Sequence, residues 1–251
     1  MSGTTIELLH LSDLHFGPHS RFADADPADL GRSFARNLLQ ERERLKLPRL
    51  DVVIVTGDLA EAGKPKEFNT AADFLGTLAG ELGIERREFV FVPGNHDVSW
   101  RRCKDIQNEL EEEDAFTEEE FQKRIAEAKL DRYLVFLKDF YRADPGEVAT
   151  PLSRGAYLYK YSSLPLAVAA LNSCEAESHR SKDHKGLVSE EQAQVVMNAL
   201  RAPDVAGWIK VIAVHHNPVV TVPANIADWR KWLKEAGSLD DELLARYESD
   251  I

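Results

Sequence analysis

The sequence predicts a layered α/β fold whose strands end along one edge, and three observations predict it. Short runs of β-branched and aromatic residues at 6–11, 51–56 and 89–92 read as buried strands. Apolar residues at helical spacing fill the intervals between them, at 27–46 and 67–82. Each strand run stops at side chains able to bind metal or move protons: Asp13 and His15, then Asp58, then Asn95, His96 and Asp97. Strand–helix alternation sets neighbouring strands side by side, and in open α/β sheets ligands sit beyond the carboxyl ends of the strands.

The first run, I-E-L-L-H-L, leads straight into S-D-L-H-F-G. Asp13 and His15 alternate along an extended chain and so point to one side, a carboxylate and an imidazole suited to a borderline metal ion. In the first helix Leu30, Phe34, Leu38, Leu39 and Leu45 make the apolar face, and Pro48 closes it. The second run, D-V-V-I-V-T, ends in G-D-L-A-E-A-G, with Asp58 just past the strand. Phe68, Ala72, Leu75, Leu78 and Leu82 face one side of the next helix. The third run, F-V-F-V, is stopped by Pro93-Gly94, because proline lacks a ladder donor and glycine tolerates angles other residues avoid.

Residues 101–145 change character. They are charged and helical, and they read as an insertion over or beside the strand edge, closed by the Asp144-Pro145-Gly146 turn. Within it, 109–120 holds eight carboxylates and no base, a solvated helix face. Residues 156–161 and 164–171 read as a strand pair around Ser162-Ser163, and 172–185 as a polar loop with His179 and His184 at the surface. Ser189-Glu190-Glu191-Gln192 is a capping-box pattern opening a helix. A strand at 208–214 then delivers His215-His216-Asn217-Pro218. Two adjacent histidines cannot both face one site from an extended backbone, so one is expected as a ligand and the other behind it or at the surface. Helices are expected at 226–235 and 239–247.

A chain of 251 residues is long enough for a sizeable core, and it reads as one domain over 1–251. Its net charge of −12 argues against a basic groove for nucleic acid. Cys103 and Cys174 do not make a disulfide framework and are read as structural residues of a reducing, cytoplasmic environment. No run reaches the roughly 18 apolar residues of a membrane span.

D-L-H at 13–15, G-D-L-A-E-A-G at 57–63, G-N-H-D at 94–97 and H-H-N-P at 215–218 together resemble the calcineurin-like metallophosphoesterases. The four blocks fall in that family's order, each after a predicted strand, and the resemblance runs from residue 6 to the end. It implies a four-layer αββα sandwich of two mixed sheets. It also implies two divalent metal ions, manganese first and iron, zinc, nickel or cobalt as alternatives. Asp58 would bridge the ions, Asp13 and His15 would hold one, and Asn95 and His215, the first histidine of its block, the other. An ion pair of this kind polarises phosphoryl oxygens and generates a hydroxide nucleophile near neutral pH. His96 would stabilise the transition state or protonate the leaving oxygen, with Asp97 orienting it. The implied partner is a phosphate ester, a diester before a monoester, and nucleotides fall within that class.

The family's last block, Gly-His-Xaa-His, does not occur, and no histidine follows His216. The sequence is therefore expected to stop short of its final ligands and of C-terminal strands of the sheet. A nuclease of the same superfamily and a non-catalytic scaffold with an incomplete metal site are the competing expectations. The charge balance weighs against the first, and the retained Asp13, His15, Asp58, Asn95 and His96 weigh against the second.

Overall fold

Two parallel strand–helix–strand units open the chain. β1 (Leu8–Leu11), α1 (Pro27–Leu45), β2 (Val52–Thr56), α2 (Pro65–Leu82) and β3 (Phe89–Val92) form a three-stranded sheet in the order β1-β2-β3. Both pairings are parallel, with Leu11 opposite Val55 and Thr56 opposite Val92, so the three carboxyl ends share one edge. Every residue of β2 and β3 is buried, as a sheet covered on both faces requires. The computed structural model describes residues 5–47 and 49–217. The helices expected at 226–235 and 239–247 and the Pro48 stop lie outside the described residues.

The insertion is helical: α3 (Trp100–Glu112), α4 (Glu118–Ala128), α5 (Asp131–Tyr141) and the single turn α6 (Pro145–Val148). β4 (Thr150–Pro151), β5 (Tyr157–Tyr161), β6 (Leu166–Ala170), α7 (Glu190–Leu200) and β7 (Ile209–Ala213) follow. The second sheet runs β4-β5-β6-β7, antiparallel at its first two pairings and parallel at the last. It is the mixed sheet of the two; the first is parallel throughout its described strands. The two faces of β6 separate by simple alternation. Leu166, Val168 and Ala170 join the core shared with the first sheet, while Ala167 and Ala169 pack with Val196 and Leu200 of α7. The layers are thus α1 and α2, the first sheet, the second sheet, and α7. Among the described residues no helix is long and apolar enough to cross a membrane.

The local signals behave as their chemistry dictates. α1 starts with Pro27 in its first turn and the Asp26 carboxylate accepting from Asp29 N at 2.9 Å, and it ends in left-handed Lys46. Its inward face differs from the expectation. Gly31 and Ala35 are the buried positions, and Phe34, Leu39 and Leu45 are exposed, because α1 lies close against α2 and only small residues fit between them. At α7 the Ser189 hydroxyl accepts from Gln192 N as a cap should, but the box does not close. The Gln192 amide instead bonds both N and O of Asn172, and Ser189 N donates to Glu175.

Candidate metal centre

Four loops meet beyond the strand ends. After β1 the chain does not stay extended: Asp13 and His15 both adopt left-handed backbone, with φ of 56° and 45°. The expected same-side alternation is replaced by a tight path that sets the segment on the β2 loop. Asp13 N, His15 N and Phe16 N donate to the carbonyls of Gly57, Asp58 and Leu59 at 3.2, 2.8 and 2.9 Å. Asp58 is left-handed as well, with φ of 53°. Three non-glycine residues in this costly region within one small volume mark a backbone held by its surroundings, and such outliers gather at functional sites.

Asp58 is the buried centre of the arrangement. Its Oδ2 lies 3.4 Å from His15 Nε2, and its Oδ1 lies 3.5 Å from His215 Nε2 and accepts from His96 N at 2.9 Å. Asp13 Oδ1 is 3.7 Å from the same His15 nitrogen. Two overlapping groups result, His15 with Asp58 and His96, and Asp13 with Asp58 and His215, each with its donor atoms within 4.8 Å of one another. Glycines make the approach possible. A Cβ on Gly57, whose φ is 82°, would stand 2.7 Å from both Gly94 Cα and His215 Nδ1, and one on Gly94 would collide with Asp58.

The donor chemistry suits a cation. His215 Nδ1 lies 2.8 Å from the Thr56 carbonyl, which only accepts, so the proton of the neutral ring sits on Nδ1. The Nε2 lone pair then faces Asn95 Oδ1 at 3.1 Å and Asp58 Oδ1. Lone pairs of three ligand types converging on one point are what a divalent ion resolves, with the Thr56 carbonyl fixing the ring's tautomer from behind. His216 turns elsewhere. Its Nδ1 is 2.8 Å from Ser173 Oγ, and burial pushes its pKa down.

His96 is oriented differently from the expectation. Its Nδ1 donates to the Glu61 carbonyl at 2.6 Å, and its ring meets His15 edge-on at 4.6 Å. Asp97 is instead buried beneath the loops, accepting from Ala60 N and Gly94 N at 3.0 Å each. Burial raises its pKa to about 7 against the pull of those two amides. It braces the β2 and β3 loops together and is committed to backbone.

Sequence reasoning missed the Glu61 carbonyl, because no side-chain pattern announces a backbone acceptor. It also read residues 172–185 as a polar loop with His179 and His184 at the surface. In fact Asn172, Ser173, Cys174, Glu177, Ser178 and Asp183 are buried. Lys129, itself buried, donates to the carbonyls of Glu175 and Glu177 at 2.8 and 2.9 Å and holds that segment in. His184 is exposed as expected, but stacked 4.5 Å from Trp100. Cys103 and Cys174 are free and buried in one apolar cluster, and burial raises both thiol pKa values, Cys103 to about 11.

An αββα sandwich with a carboxylate between two imidazole-bearing groups at its strand ends defines a metal-dependent phosphoesterase scaffold. The chain belongs to the calcineurin-like phosphoesterase family, whose sequence model matches residues 6–248. It is 32% identical over 94 residues to the glycerophosphodiester phosphodiesterase GpdQ of Enterobacter lignolyticus, a stretch covering 36% of this chain and 29% of that protein. It is 38% identical over 93 residues to a cAMP/cGMP dual specificity phosphodiesterase of Mycobacterium tuberculosis, covering 36% of this chain and 26% of that protein. The matched stretches thus span less than a third of either relative.

Proposed function

We propose that the chain is a divalent-cation-dependent phosphoesterase that hydrolyses a phosphodiester, with phosphomonoesters as the weaker substrates. The observation that carries this reading is the position of Asp58, one carboxylate whose two oxygens face His15 on one side and His215 on the other. Diesters come first because both relatives are named for diesterase activity.

Two ions, manganese by first choice, would be held by Asp13 and His15 on one side and by Asn95 and His215 on the other, with Asp58 between them. When bound, such ions neutralise phosphoryl charge and lower the pKa of a coordinated water. The amide of Asn95 adds a ligand without adding negative charge, which keeps the site open to an anion. His96, held at Nδ1 by the Glu61 carbonyl, presents Nε2 for a proton and delivers it to the departing alkoxide. Gly57 and Gly94 keep the floor thin enough for Asp58 to reach both sides.

The test is hydrolysis of bis-p-nitrophenyl phosphate and p-nitrophenyl phosphate with Mn²⁺, alongside Asp58→Ala and His96→Ala. The expected result is diester turnover by the native chain, Mn²⁺ binding and turnover both lost in Asp58→Ala, and binding kept with turnover lowered in His96→Ala, by up to about 10²–10⁴-fold on an alkyl diester whose leaving oxygen needs the proton. Equal rates for all three proteins would overturn the proposal.

A further inference from the structure

Trp100 and His184 come from different parts of the chain and meet beside the site. Trp100 is the first residue of α3, three positions after the G-N-H-D block, and His184 ends the buried segment after β6. Their rings stack at 4.5 Å with planes 17° apart, and Trp100 lies 6.2 Å from the His96 ring. A stacked pair serving only the core would be covered. Instead Trp100 is 36% exposed and the His184 side chain 36% exposed.

The pair is held rigidly from below. His184 Nε2 donates to the Ser178 carbonyl at 3.0 Å, fixing the ring plane. Glu177, buried at 1% exposure, lies with its Oε1 3.6 Å from the same nitrogen. Arg180 ties the segment to α4 through Glu118 and to Asp183. A flat aromatic surface that is partly open, braced by buried polar groups and next to a proton-donating histidine is preorganised for a planar ring.

We infer that the Trp100–His184 stack is a leaving-group subsite that receives the base of a nucleoside esterified to the phosphate. The inference rests on the proposed phosphoesterase reading, which places the phosphate beside His96. The 6.2 Å between the His96 and Trp100 rings is a span that one sugar can bridge, and stacking accepts any base because every base has a flat face. The subsite gives the exposed indole at the start of α3 a role, whereas Cys103, Ile106 and Leu110 of the same helix face the core, and it narrows the substrate class to nucleotide diesters.

Calorimetric titration of the chain in Mn²⁺ with adenosine 5′-monophosphate and with ribose 5-phosphate tests the subsite, since the two differ only by the base. Adenosine 5′-monophosphate is expected to bind about tenfold more tightly. Trp100→Ala and His184→Ala should each remove most of that preference, and Trp100→Phe should keep it. Where the chain is active, Trp100→Ala raises KM for 3′,5′-cyclic AMP with kcat little changed, whereas a merely structural role would lower kcat on bis-p-nitrophenyl phosphate equally. Equal affinity for the two phosphates, or a preference untouched by both alanine variants, overturns the subsite. A base preference without hydrolysis of any ester would overturn the phosphoesterase reading alone, and hydrolysis without a base preference would overturn the subsite alone.

Discussion

Asn95 and His215, 120 positions apart, face one another with Oδ1 and Nε2 separated by 3.1 Å. The contact joins the end of β3 in the first sheet to the end of β7 in the second, so it links the two halves of the sandwich. Because His215 Nδ1 keeps its proton and donates it in a hydrogen bond to the Thr56 carbonyl, neither facing atom carries a hydrogen in the neutral ring. Two acceptors held in this way repel until a cation enters between them.

Asn95→Ala should therefore weaken Mn²⁺ binding by at least about tenfold, the usual scale for altering a site's ligand environment. Removing Mn²⁺ with a chelator should lower the melting temperature of the native chain by mass action, and the drop should shrink in the variant. Isothermal titration and thermal melts with and without Mn²⁺ read both effects. Unchanged affinity would remove Asn95 from the ligand set.

Gly94→Ala tests the floor of the site. Gly94 has φ of −105°, which any residue can adopt, so its constraint is contact with Asp58 and not backbone strain. The added methyl has nowhere to go without moving the Asp58 loop. The expected cost is about 1–3 kcal/mol in urea denaturation, with loss of Mn²⁺ binding beyond what that destabilisation explains. A variant as stable as the native chain, with its affinity intact, would contradict the packing described.

The first five elements were legible from their apolar periods, and in β3 from the Pro93-Gly94 stop as well. Asp26-Pro27 opens α1, Pro65 opens α2, and Pro93-Gly94 ends β3, all as local chemistry requires. That Asp13, His15, Asp58 and Asn95 would lie along one edge was legible because strand ends in a parallel sheet converge. The manner of convergence was not. The left-handed turns at Asp13, His15 and Asp58 are imposed by bonds between loops distant in sequence, and none of these residue types announces them. The role of Asp97 was misread because a carboxylate next to a histidine suggests pairing, whereas its oxygens accept from the Ala60 and Gly94 amides. The burial of Glu177 and its neighbours is tied to Lys129, which lies more than forty positions away in the insertion.

Tyr141 shows how the insertion is fastened to the sandwich. Its hydroxyl donates to the Phe89 carbonyl at 2.9 Å and shares a 3.0 Å bond with the Tyr159 hydroxyl, so α5, β3 and β5 meet at one buried point. Burial drives the pKa of both phenols upward, Tyr159 to about 12. Tyr141→Phe leaves the Tyr159 hydroxyl short of a partner and should cost about 1–3 kcal/mol by chemical denaturation. A cost below the error of that measurement would mean the hydroxyls find other partners.

Glu177 gives stability a pH dependence whose sign can be worked out. Burial raises its pKa from 4.5 to about 7, against the Lys129 ammonium and the Trp100 side chain, which pull it back down. Below about pH 4.5 the carboxyl is protonated in both folded and unfolded chains and contributes nothing to the difference. Between that pH and about 7 the unfolded chain gives up the proton while the folded chain keeps it. The folded state then binds more protons, so stability falls as pH rises through this window and levels off above it. Glu177→Gln removes the titration and keeps the shape. The variant should match the native chain near pH 4 and exceed it by on the order of 1–3 kcal/mol at pH 8, at 1.36 kcal/mol for each pH unit of the window as an upper bound. Urea denaturation across that range decides the matter: a native-to-variant difference that does not change with pH would show that the Glu177 carboxyl titrates alike in both states.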